Sequence, residues 1–141
     1  NINSLDSTNY TVNVGETFCV DTAGNFIGTI TLNGGTVCNK GIFNPQSIQF
    51  NTGTISNYGN TSLKTSVTIA TNAVLTNNAD AVMNISGVMT LSGGALNNSG
   101  IINVDQNIQN TTGTITNNSI INCTQISGSG SLNNTGKINV N

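Results

Sequence analysis

The chain has 141 residues, enough for one domain, and only 6% of them are charged, against about a quarter in an ordinary globular domain. Lys40, Lys64 and Lys137 are the only cations, Arg and His are absent, and the net charge is -2, so no nucleic-acid partner is expected. No apolar run is long enough to cross a bilayer as a helix, and no basic membrane-binding face is present, so membrane insertion is not expected either.

Residues 1–27 hold short strand signals. Tyr10, Val12 and Val14 alternate with polar residues, and Phe18–Val20 resumes the pattern before a turn at Asp21–Asn25. A shift of 19 places sets Thr17, Phe18 and Cys19 over Thr36, Val37 and Cys38 of the next segment. Residues 1–27 are therefore predicted to form an N-terminal capping coil, atypical as terminal repeats are. No basic-then-apolar start reads as a signal peptide, so a secreted chain would be mature sequence, and the repeats are expected to continue beyond residue 141.

From residue 28 to 141 one frame recurs. Six segments carry it, starting at Asn33, Asn51, Thr71, Ser92, Thr111 and Gly128, in steps of 18, 20, 21, 19 and 17 residues. The third place is small: Gly35, Gly53, Ala73, Gly94, Gly113, Gly130. The fifth is aliphatic: Val37, Ile55, Leu75, Leu96, Ile115, Leu132. The seventh is always Asn: Asn39, Asn57, Asn77, Asn98, Asn117, Asn134. A strand signal precedes each frame (Ile30 with Leu32 in the first coil) and another follows it. The following strands are expected to bury Phe43, Leu63, Val82, Ile102 with Val104, Ile121 with Cys123, and Ile138 with Val140. Pro45 removes a ladder donor, so its corner is expected to be a turn or bulge.

Three short strands per repeat, with no helical stripe, predict an all-β fold. It is a parallel β-helix, or β-solenoid, of about six to seven coils of 17–21 residues. The expected hand is right, because the strict six-residue period of left-handed solenoids is absent. Length changes are expected between the first and second strands of a coil. The Asn column reads as a ladder in which each amide donates to the next, although Asn is also a common corner residue.

Cys19 and Cys38 fall at matching outward places in adjacent coils, and a disulfide between them is expected; two aligned free thiols are the alternative. Cys123 reads as a small buried apolar residue. No Cys/His set suggests a metal or cofactor. Triad chemistry lacks a His, Asp80 and Asp105 lie in different coils, and no Arg is available to stabilise developing charge, so no enzyme is expected. An ice-binding face would need an array of Thr pairs; only Thr114 with Thr116 supplies one. A carbohydrate site would need clustered exposed aromatics, and Tyr58 stands alone.

The Gly-x-aliphatic-x-Asn-x-Gly coils resemble filamentous-haemagglutinin-type β-helices of bacterial surface adhesins. Val14–Val20 (VGETFCV) followed by Gly28–Gly41 (GTITLNGGTVCNKG) is similar to the start of large Bacteroidetes surface proteins exported by the type IX system. The resemblance implies an extracellular, cell-surface stalk or filament piece. The triplets Asp6-Ser7-Thr8 and Asp21-Thr22-Ala23 match the short O-glycosylation pattern of that phylum, at Ser7 and Thr22. Gly136–Asn141 (GKINVN) starts a new coil with an uncovered edge, so its partner is expected to be further coils of a longer chain or a stacked identical subunit.

Overall fold

A computed structural model describes all 141 residues. It contains β-strands and no helix, and every pairing between named strands is parallel. The chain winds about seven coils, each contributing a leading strand, a frame strand and a trailing strand. The trailing sheet has eight strands in chain order, from Leu5–Asp6 to Lys137–Val140. Seven strand spacings make the rod about 34 Å long.

Register follows the frame. Phe18, Val37, Ile55, Leu75, Leu96, Ile115 and Leu132 form one unbroken column of partners. All are buried except Leu132, in the last coil, which is 47% exposed. Twenty-six residues make a single apolar core along the axis. The third place is small because the previous coil crowds it: a Cβ at Gly94 would lie 2.5 Å from the Ala70 carbonyl oxygen, and one at Gly113 2.7 Å from that of Gly94. Only Ala73 carries a Cβ there, and it is buried.

In the first two framed coils the leading and frame strands are continuous, as Thr29–Asn39 and Ser47–Asn57. Register shifts between Leu32 and Thr36 mark the bend in this pair. Gly34 and Gly53 take the bend with positive φ, 93° and 107°. Later coils break into separate strands at the same corner.

One expectation about the trailing strands is corrected. Val82 pairs with Ile101 on the outward face, and Met83 and Ile85 point inward. The reason is alternation from Val82 to Ile85, which puts Met83, not Val82, in line with Ile102 and Thr61. Length varies between leading and frame strands as expected, with six residues from Ile69 to Leu75 against five from Leu91 to Leu96, and a further change lies between frame and trailing strands. Ala79 and Asp80 are extra residues at that corner, and Asp80 takes φ 63° to turn it. The Pro45 corner behaves as expected: the strand Ile42–Phe43 stops after two residues where its neighbour Asn60–Leu63 has four.

Residues 1–20 wind the first coil. Leu5–Asp6 pairs with Asn25–Phe26, Tyr10–Asn13 with the strand from Ile30, and Thr17–Val20 with Thr36–Asn39. This end of the core is aromatic, with Tyr10, Phe18, Phe26 and Phe43 in a chain of contacts at centroid separations of 4.8, 5.0 and 5.5 Å.

The crowding at the third place gives a test. Gly94→Val should destabilise the protein by about 3 kcal/mol through overpacking against backbone. Ala73→Gly should cost only about 1 kcal/mol. Urea unfolding midpoints would check this, and a Gly94→Val protein as stable as the parent would contradict it.

Candidate functional site: amide rows and a cysteine pair

The seventh-place Asn residues form the predicted ladder. Nδ2 of Asn39, Asn57, Asn77, Asn98 and Asn117 each donates to Oδ1 of the Asn one coil further on, at 2.8, 2.8, 3.0, 2.8 and 2.7 Å. The second N–H of each goes to a backbone carbonyl of the trailing strand below, such as Ile120 for Asn98 at 2.9 Å. Oδ1 in turn accepts a backbone N–H two residues on, as Asn98 does from Gly100 at 3.2 Å. Asn98 therefore makes all four bonds its amide allows. These flanking backbone groups fix which end is oxygen, so the row has one polarity. Every link donates toward the C-terminal coil.

At the N-terminal end Val20 takes the seventh place, in register with Asn39. Val20 donates nothing, so Asn39 Oδ1 accepts one bond rather than two, from Gly41 N–H at 3.1 Å. Thr61 joins the row from an otherwise apolar column. It donates to Asn57 Oδ1 at 3.0 Å and accepts from Asn39 Nδ2 at 3.2 Å. A buried hydroxyl is thereby satisfied.

A second amide row lies on the outside of the trailing sheet. Asn139 donates to Asn122, Asn122 to Asn103 and Asn103 to Asn84, at 2.6, 2.7 and 2.8 Å. Its polarity is opposite to that of the inner row. Beside it runs an aliphatic column, Val82, Ile101 and Ile120, with Ile101 37% exposed. Sequence reading missed this row. The signal was present as Asn-aliphatic alternation in INV, INC and INV of the last three trailing strands, eclipsed by the stronger frame.

Asn110 is less well served. It occupies the leading-strand column of Ile69 and Leu91, and its Nδ2 donates to the Ser131 carbonyl at 2.9 Å. Its buried Oδ1 has no partner within the protein.

Cys19 and Cys38 are register partners, half-buried on the outer face, and both are free thiols in this structure. Burial, helped by the Cys19 thiol, pushes the Cys38 thiol from 9.0 up to about 11. Cys123 is buried in register with Val140, and burial raises its thiol too. Ser7 and Thr22 are both exposed. Asp80 and Asp105 stand at different corners, as expected from their spacing. At the N-terminal end a recess of about 490 Å³ opens between Ile2, Tyr10, Val12, Glu16 and Phe18.

No protein-family model, curated protein or solved structure matches the chain.

The two amide rows make different predictions. Asn98→Ala strands the amides above and below it in a dry core and should cost about 3 kcal/mol. Asn103→Ala removes two bonds in contact with solvent and should cost about 1 kcal/mol. Asn60→Ala, on the surface and outside both rows, should stay within about 0.5 kcal/mol. Equal losses at all three positions, read from urea denaturation, would contradict a distinct role for the inner row.

Proposed function

We propose that the chain is a non-enzymatic structural piece of an extracellular bacterial surface adhesin, serving as stalk or filament. The observation that carries this reading is the inner amide row: it runs through six coils with a single polarity and makes the stack one continuous rod. Side chains are committed to holding coil on coil. The resemblance of the coils to filamentous-haemagglutinin-type β-helices supports the surface assignment and, through it, export by the type IX route. Ser7 and Thr22 are accessible for O-glycosylation in such a setting.

The C-terminal coil is proposed to meet a further face of the same kind, another coil or a stacked subunit. Leu132 is 47% and Val140 61% exposed, and no further coil receives Asn134. A cover of matching chemistry would present parallel strands with an amide oxygen at the seventh place. A further coil written in the same frame does this. An identical subunit stacked by its first coil offers Val20 there, which has no acceptor. Frame-bearing coils are therefore the better partner of the two.

A second reading, a carbohydrate-binding face, rests on the flat aliphatic column beside the outer amide row. Retention on insoluble polysaccharide that Ile101→Asp abolishes would select it over the stalk.

The stalk reading is tested on intact source cells with an antibody to the chain. Surface staining is expected, and staining only after permeabilisation would overturn the assignment. Light scattering on the isolated chain should show association at high concentration, reduced by Leu132→Lys with Val140→Lys. A parent protein that stays monomeric would contradict the uncovered-end argument.

A further inference from the structure

We propose that Cys19 and Cys38 form a strained disulfide, reducible by glutathione, that latches the first coil onto the rest of the stack. The two residues are register partners on adjacent parallel strands. Their Cα atoms lie one strand spacing apart, about 4.8 Å, within the range a disulfide accepts. Their Cα–Cβ bonds point the same way, so the Cβ atoms are also about 4.8 Å apart, beyond the usual limit of about 4.5 Å. Closing the bond must pull the strands together or force an off-rotamer side chain. Strain of this kind raises the reduction potential and makes a disulfide labile.

The fold permits that movement on one side only. Cys38 lies inside the stack, between Cys19 and Ser56. Cys19 lies on the edge strand Thr17–Val20, whose far side is met by Ile2, which donates its N–H to the Cys19 carbonyl and accepts from the Asp21 N–H, both at 2.7 Å. The edge strand shifts toward Cys38 while the interior holds. Residues 1–20 otherwise depend on one neighbouring coil, so the bond changes how readily they fray. Oxidation closes the N-terminal end over the Phe26 and Phe43 core, and reduction lets it open. This inference is independent of the surface-stalk reading.

The oxidant is a small-molecule disulfide, such as glutathione disulfide. One cysteine thiolate attacks it and displaces a glutathione thiolate, leaving a mixed disulfide. The second cysteine, giving up its proton, attacks the protein sulfur of that mixed disulfide and displaces the other glutathione. Two protein thiols become one disulfide, and one glutathione disulfide becomes two glutathione thiols that take up the two protons.

The test uses the full chain and, for a clean thiol count, its Cys123→Ala variant. Incubation with glutathione disulfide should remove two titratable thiols with the chain still monomeric on non-reducing gels. Excess reduced glutathione should restore them. Amide exchange at Thr17–Val20 should be about tenfold slower in the oxidised form, and unchanged by oxidant in Cys19→Ser. Three outcomes each overturn the proposal: thiols that persist, a bond formed between chains, or a bond that reduced glutathione leaves intact. The last would mark an unstrained structural disulfide.

Discussion

A carboxamide buried in a dry core has two donors and two acceptor sites, and each one left empty costs free energy. In this protein the groups that fill them belong to the coils on either side and to the turn that follows. That requirement sets the seventh place of every frame. It also ties coil to coil at one angular position, because sliding a coil by one residue would bury an outward side chain and unpair the amide together. The apolar column supplies the larger share of burial but tolerates Val, Ile or Leu alike. The amide row tolerates one residue type.

Much of the remaining architecture follows. The third place must be small because the frame strand bends close under the coil above, as Gly94 and Gly113 show. Coil length varies at corners, where two extra residues at Ala79–Asp80 bulge outward and the register of Asn77 with Asn98 is untouched. Thr61 is admitted to the core because the row can satisfy its hydroxyl. Val20, at the place that would donate to Asn39 Oδ1, is tolerated because that oxygen accepts from the Gly41 N–H instead. The polarity of the row leaves Asn39 Oδ1 and Asn134 Nδ2 as its first and last groups, bonded to the Gly41 N–H and the Gly136 carbonyl.

The fold and the inner row were legible from the sequence because both repeat with a coil, and repetition averages out local ambiguity. The alignment of Thr17–Cys19 with Thr36–Cys38, made on three residues, is the register found. What escaped was local. Val82 was assigned to the core for its aliphatic side chain, but alternation along Val82–Ile85 outranks hydrophobicity at a single position. The outer amide row escaped because outward Asn reads as ordinary surface. Its order comes from hydrogen bonds between coils, which no single segment displays. Asn110, buried among Ile69 and Leu91, also had no local signature; only its register places it in the core.

The central claim is that the inner carboxamides form a closed, cooperative row, and side-chain amide hydrogen exchange by NMR measures it most directly. The Nδ2 protons of Asn57, Asn77 and Asn98 should exchange only with opening of the stack, orders of magnitude more slowly than those of Asn60 and clearly more slowly than those of Asn103. Exchange of the inner amides at the rate of Asn60 would mean that they are not held by their neighbours, and would contradict the account.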